Sequence, residues 1–402
     1  MSTWGRSATT APVAAVVREA FGADARVTRS RRVGGVRERS ALLRLHLDGP
    51  GDLPASVVAK RLKSASAGDP DALGLFHAEL ASLRFLSRPE VAGQADLGAP
   101  GLVGDSARQR VVVMEDLGDG VSLADVLLAS GVGAAPADGA AVDALHRYAR
   151  SLGTLNGATR PHLDAFRAES RALGATDPDT AWGDEVGEVL AGLPGALGPL
   201  GLPVDATLAA ELSALRESLT DPAWTAFTHG DPCPDNNLLA ADGRLAHFDF
   251  EFAGLRHALV DGAYLTVPFP TCWCVGTLDP ALQTSLERTY RSVLGEHLPA
   301  ARDDAAYDAA LLAVRAYWAL RMVTWLLPKV VAEDRDWGRA TIRQRVVLRV
   351  RGLVDRARDA GEWPATAALF ESLLAGLAER WGDVVPMDGY PALEAPPTSA
   401  RP

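Results

Sequence analysis

Between Thr228 and Glu251 the chain reads Thr-His-Gly-Asp-Pro-Cys-Pro-Asp-Asn-Asn, a short apolar run, Asp242-Gly243, and then Leu-Ala-His-Phe-Asp-Phe-Glu. Pro232 and Pro234 remove backbone donors and forbid helix in this loop. Asn237 to Ala240 predicts a strand, Asp242-Gly243 a hairpin turn, and Leu245 to Phe250 the returning strand. Asn236 then stands where the chain enters the hairpin and Asp249 where it leaves. A hairpin brings its ends together, so an amide oxygen and a carboxylate can share one hard cation such as Mg²⁺. Asp231, in the same loop, is placed to orient a hydroxyl. An Asx-rich polar hairpin is the plain alternative for His-Gly-Asp alone, and Asn236 with Asp249 argues against it.

The first 120 residues offer matching parts. Val33-Gly34-Gly35 follows a predicted strand (25–32) and precedes the alternating run Ala41 to Leu47. Such a strand–glycine turn–strand unit can lay bare amides over phosphates, although most Gly-Gly pairs are only turns. Lys60 closes the apolar strand Ser56-Val-Val-Ala-Lys, close to the Val-Ala-Ile-Lys pattern whose lysine meets nucleotide phosphates. Glu79 falls in a helical stretch beside Phe76, Leu80 and Leu83, where it can pair with Lys60. Arg110 to Gly118 reads as a buried strand that stops at charge and glycine.

In this order, over residues 25 to 265, the motifs resemble those of the aminoglycoside phosphotransferase and choline kinase-like family. The resemblance implies an α+β, two-lobed protein-kinase-like fold with a small antiparallel-sheet lobe and a mostly helical large lobe. It implies ATP (with GTP left open) and Mg²⁺ as cofactors. Asp231 becomes the catalytic aspartate, Asn236 and Asp249 the metal ligands, and Lys60, steadied by Glu79, the phosphate-binding lysine. Gly34 and Gly35 would cover the phosphates, and backbone groups from Met114 to Asp116 would meet the adenine edge. The implied activity is transfer of the γ-phosphoryl group to a small-molecule hydroxyl on an antibiotic or other natural product. A kinase of an amino alcohol or sugar is the alternative, and a nucleotide-binding pseudokinase a third reading. Departures from the family pattern are Asn156, Cys233 and Phe250-Glu251, where relatives often carry other residues.

Domain limits follow from these landmarks: an extension at 1–24, the small lobe at 25–113, a hinge at 114–118, the large lobe at 119–385, and a Pro-rich tail at 386–402. The apolar run Ala309 to Val331 is interrupted by Arg315, Arg321 and Lys329 and reads as a core helix rather than a membrane span. Three cysteines give no disulfide framework, so reduced thiols and a cytoplasmic location are expected.

Net charge is −11, which argues against nucleic acid as a partner. Residues 301–402 hold 14 acidic and 14 basic side chains, so the whole −11 lies in residues 1–300. Resemblance to enzymes that hold polycationic aminoglycosides with acidic C-terminal helices is therefore weakened at the acceptor end. Seven arginines lie between 339 and 358, and the stripe Ile342, Val346, Val350, Leu353, Val354 predicts that most of them form the solvated side of a helix. An anion-tolerant pocket is the alternative. Six tryptophans follow the metal motif; Trp273, in Pro-Phe-Pro-Thr-Cys-Trp-Cys, is expected to pack in the core or, alternatively, to line an acceptor pocket. Oligomeric state is left open.

Overall fold

The computed structural model describes residues 10–33, 39–66, 68–129, 139–240 and 242–394. The chain divides into two compact units. Unit one comprises Met1–Gly120, Pro161–Pro178 and Leu238–Gly254, and unit two Val121–Arg160, Asp179–Asn237 and Leu255–Pro402.

Unit one is built on strands β1 (Arg26–Arg32), β2 (Ser40–Asp48), β3 (Ser56–Leu62), β4 (Leu102–Ser106) and β5 (Val111–Glu115), all antiparallel and paired in the order β1-β2-β3-β5-β4. Period-two alternation sorts their side chains to two faces. Leu45, Val57, Ala59, Val111 and Val113 pack with Val13, Val16 and Val17 of helix α1 (Ala11–Phe21). Leu42, Val58 and Lys60 alternate with those residues and so take the other face. Lys60 lies in register between Leu42 and Val112, in the middle of the sheet.

Helix α2 (Pro70–Leu86) begins at Asp69, whose side chain accepts from Asp71 N at 3.1 Å, with Pro70 at the first helical position. Phe76, Leu80, Leu83 and Leu86 are buried on it, and Glu79 sits among them at 2% exposure. The helix packs against the turn Phe250–Phe252 and the helix Leu163–Ala172, where Phe85 meets Phe166 edge-on at 5.6 Å.

The hairpin differs from its sequence reading. Its strands are Asn237–Leu239 and Leu245–His247, so the return stops short of Phe250. Asp249 takes a left-handed conformation, φ 68°, which ends the strand and starts the 3₁₀ turn Phe250–Phe252.

Unit two is mostly helical, which completes the expected α+β division. Its longest helix, Asp304–Val330, has 78% of its most apolar window buried, the state of a core helix. It packs against the helices Ala181–Leu197 and Ile342–Ala360. The latter opens with a Thr341/Gln344 capping box and closes at Gly361, φ 68°. Its arginines are not simply the solvated side. Arg345 is 0% and Arg349 5% exposed. These two positions fall three and four residues from Ile342, Val346 and Leu353, and the aliphatic stem of arginine lets it share an apolar stripe.

Candidate active site

Lys60 is the centre of a buried ionic cluster in unit one. Its Nζ lies 2.6 Å from Glu79, 2.6 Å from Asp249 and 3.1 Å from Glu251. Each partner comes from a different local cause: strand alternation aims Lys60, the helical stripe of α2 buries Glu79, and the left-handed turn at Asp249 delivers both Asp249 and Glu251. Burial opposes the Lys60 charge, but the three carboxylates outweigh it and hold the ammonium above its ordinary value. Burial, assisted by Asp249 and Glu251 against the pull of Lys60, pushes Glu79 up. Arg39 adds a partner to Glu251 at 2.9 Å.

The cluster sets two positive groups, Lys60 and Arg39, against three negative ones. Carboxylate oxygens of Glu79, Asp249 and Glu251 lie within 4.8 Å of one another. Hard oxygen donors with surplus negative charge suit a divalent ion such as Mg²⁺. A cavity of about 150 Å³ adjoins them, lined by apolar Leu42, Val58, Met114 and Phe248 as well as Lys60, Glu79 and Asp249. A flat apolar ring and a charged tail would both find partners there.

Met114 and Asp116 line the same cavity. The Asp116 carboxylate is committed to Ser56 Oγ (2.5 Å), Arg44 Nε (2.7 Å) and Gly118 N (3.0 Å), which pins the chain after β5. Glu115 N donates to Gly101 O at 2.8 Å, so that amide of the expected hinge is already used. Gly34 and Gly35 lie outside the described residues.

Asp231 belongs to unit two, where its carboxylate is oriented by hydroxyl and amide donors. Thr271 Oγ1 donates to Oδ1 at 2.7 Å, Tyr264 OH stands 3.4 Å from the same oxygen, and Asn236 Nδ2 approaches Oδ2 at 3.3 Å and the Asp231 carbonyl at 3.0 Å. Gly230 adopts φ 78°, a conformation that any side chain would strain, and so turns the chain into Asp231. Behind the turn, buried Asp261 accepts from His229 N at 2.7 Å, Gly230 N at 3.1 Å and Asn156 Nδ2 at 3.0 Å. Tyr290 OH donates to Asn156 Oδ1 at 2.9 Å and fixes the amide.

Cys233 and Cys272 form a disulfide across a sequence separation of 39, with Cα atoms 5.6 Å apart. The expectation of three reduced thiols is thus corrected: Cys272-Trp-Cys274 spacing excludes a local bridge and says nothing of a partner from the Asp231 loop. The bridge ties that loop to the segment holding Thr271. Cys233 Sγ lies 3.2 Å from Asp231 Oδ1 and, as half of a disulfide, has no proton to give it. Cys274 stays free and buried.

Lys60, Glu79 and Asp249 are therefore brought together in unit one, and Asp231 and Asn236 in unit two. Trp273 is 44% exposed with Nε1 bonded to Asp235 at 2.7 Å, so it is not a core residue. Sequence reasoning gave no role to Glu251, Asp261, Tyr264 or Thr271. A signal for two of them was available in Asp261-Gly262-Ala263-Tyr264, which resembles the family's Asp-Leu-Ala segment.

A family model described as "Phosphotransferase enzyme family" matches residues 32–295. No curated protein matches the chain. Similar solved structures include a thermostable mutant of aminoglycoside phosphotransferase APH(4)-Ia, at 15% identity over 85% of this chain and 97% of that one, TM-score 0.42. Choline kinase LicA from Streptococcus pneumoniae is similar at 14% identity over 87% and 100% of the two chains, TM-score 0.43. Macrolide 2'-phosphotransferase MphH from Brachybacterium faecium is similar at 15% identity over 73% and 92%, TM-score 0.38. None of these likenesses reaches a TM-score of 0.5, and none bears on substrate. The family match covers well over half of the 402 residues, and with it the chain belongs to the phosphotransferase enzyme family.

Proposed function

We propose that the protein is a small-molecule kinase that transfers the γ-phosphoryl group of ATP to a hydroxyl, with an antibiotic or other natural product as acceptor. The observation that carries this reading is Lys60 held at 2.6 Å from both Glu79 and Asp249 beside an apolar cavity. In this reading Lys60 binds the α- and β-phosphate oxygens, and Glu79 keeps its ammonium fixed and charged. Asp249 and Asn236 supply oxygen donors for Mg²⁺, which when bound offsets phosphate charge. Thr271 and Tyr264 hold the Asp231 carboxylate so that one oxygen can accept the acceptor's hydroxyl proton. A loose transition state asks little base strength, so orientation is the main task of Asp231. Asp261 acts through the backbone of His229 and Gly230 and is a positioning residue.

The reading is tested by ADP release from Mg·ATP against panels of hydroxylated antibiotics, nucleosides, sugars and amino alcohols. It predicts at least one acceptor with turnover that Asp231→Asn lowers by ~10²–10⁴. Turnover with an amino alcohol or sugar alone would favour the primary-metabolite alternative. Acceptor-dependent turnover that survives Asp231→Asn would remove Asp231 from its role.

A further inference from the structure

In unit two the helices Asp304–Val330 and Ile342–Ala360 and the segment 266–268 line a cavity of about 220 Å³. Arg315, Arg349, Arg351 and Arg356 all face it. Arg349 is 5% exposed; it donates Nη2 to the Pro268 carbonyl, and its Nε has no hydrogen-bond partner. Arg315 Nε donates to Thr266 Oγ1 at 3.2 Å. Arg356 donates to Gly352 O at 3.0 Å, Thr266 O at 3.2 Å and Gln283 Oε1 at 3.4 Å. Every one of these acceptors is neutral.

Among the described residues, ion pairs are made by Arg321 and Arg358 on these same helices and by Arg291 on Pro280–His297, not by the four cavity arginines. The acidic groups around the cavity are Asp355 on its lining, Glu287 and Asp308 toward Arg315, and Asp359 toward Arg356, and none forms an ion pair with the four. Burial and then the charge of Arg345 hold Arg349 down to about 9, and burial and then Arg356 hold Arg315 down to about 10. Buried arginine in this unit can have a purely structural partner: Arg345 lies 4.0 Å over the Trp337 ring. A tie to Pro268 needs one such arginine, yet buried Arg349 is joined at the cavity by half-buried Arg315 and Arg356 and by exposed Arg351.

A buried charge is costly without a counter-charge, and the planar guanidinium fork matches the oxygens of phosphate or carboxylate. The volume is ample against the ~30 Å³ share of one water. We infer that this cavity is a binding site for a small phosphate-type oxyanion carrying two or more negative charges, held by Arg315, Arg349, Arg351 and Arg356. A free inorganic ion and the phosphate group of a phosphorylated metabolite share that chemistry. The inference does not depend on the phosphotransferase reading, because no turnover enters its test.

The test is calorimetric titration of the full chain, without Mg²⁺, with pyrophosphate, orthophosphate and glycerol phosphate. The same titrations are run on Arg315→Met, Arg349→Met and Lys60→Met. One pyrophosphate per chain is expected, weakened at least tenfold by either arginine change and left unchanged by Lys60→Met. Glycerol phosphate binding more tightly than orthophosphate would assign the site to a phosphorylated metabolite, and equal binding to the free ion; both uphold it. Arg349→Met loses the tie to Pro268, so Arg315→Met, at a partly exposed position, decides the outcome should the first fail to fold. No binding to the wild type overturns the inference. Binding lost in Lys60→Met and kept in the arginine variants overturns it as well, by placing the anion in unit one.

Discussion

Lys60 in unit one and Arg349 in unit two are each 5% exposed, yet their surroundings are opposites. Three carboxylates crowd Lys60, and even with Arg39 on Glu251 the cluster is one cation short. Around Arg349 three more arginines line the cavity, and none of the four is ion-paired. Structural ion pairs tend to balance, because unbalanced burial of charge costs several kcal/mol. An excess of carboxylate contacts at Lys60 and the lack of any at Arg349 suit ligands of opposite sign: a divalent cation in the first case, an oxyanion in the second. A third buried base shows the alternative. His257 is stacked on Trp224 at 5.1 Å, accepts from Leu259 N at 3.2 Å, and is held neutral by burial, its value lowered to about 3.

The sharpest way to break the contrast is to remove the cation from unit one. Lys60→Met leaves three carboxylates with only Arg39, on Glu251, as a counter-charge and should cost ~3–5 kcal/mol in urea unfolding at neutral pH. Glu79→Gln, which leaves two carboxylates on Lys60, should cost ~1 kcal/mol or less; equal losses would mean that Lys60 and Glu79 form an ordinary balanced pair. In unit two, Asp261 is a carboxylate satisfied by amides instead of a cation. Asp261→Asn turns an amide toward donors and should cost ~3 kcal/mol, with a fall in kcat at unchanged KM for nucleotide. A variant of native stability and turnover would deny Asp261 its hold on the His229-Gly230 turn.

His257 gives the pH dependence a component on the acid side. Its folded value lies below its unfolded one, so the unfolded chain binds the extra proton as pH falls. Its contribution is full above the unfolded value of 6.5 and is lost as pH falls toward 3. At pH 5 that amounts to ~2 kcal/mol, visible as a steeper acid decline than in His257→Gln. The smallest effect is expected at Arg349. Arg349→Leu should change stability by ~1 kcal/mol or less in phosphate-free buffer, since removing an unpaired buried charge offsets the lost bond to Pro268. A loss as large as that of Lys60→Met would make Arg349 a structural residue only.

Local rules made unit one readable. Alternation in β3 and the stripe of α2 are short-range patterns, so the meeting of Lys60 with Glu79 could be expected from spacing. The hairpin was readable except at its end, because nothing in Leu-Ala-His-Phe-Asp announces a left-handed aspartate. In unit two the helical character and the core helix over 309–331 were legible, but the surroundings of Asp231 were not. Thr271, Tyr264 and Asp261 reach the Asp231 loop from 30 to 40 positions along the chain, as does Cys272. No periodicity encodes such convergence. Arg345 and Arg349 escaped the reading of 339–358 for a related reason: a helical stripe says which face is apolar, and a long charged side chain can still lie on it.

In the proposed function, Lys60 and Asp249 set the phosphate end of a metal-assisted nucleotide site and Asp231 serves the transfer step. Calorimetric titration with AMP-PNP, with and without Mg²⁺, on the wild type, Asp249→Asn and Asp231→Asn tests it most directly. The prediction is Mg²⁺-dependent binding that Asp249→Asn weakens by ~100-fold or more, and that Asp231→Asn leaves within about threefold of wild type, as expected of a residue acting on the acceptor. Binding indifferent to Mg²⁺ and to Asp249→Asn, or abolished by Asp231→Asn, would contradict it.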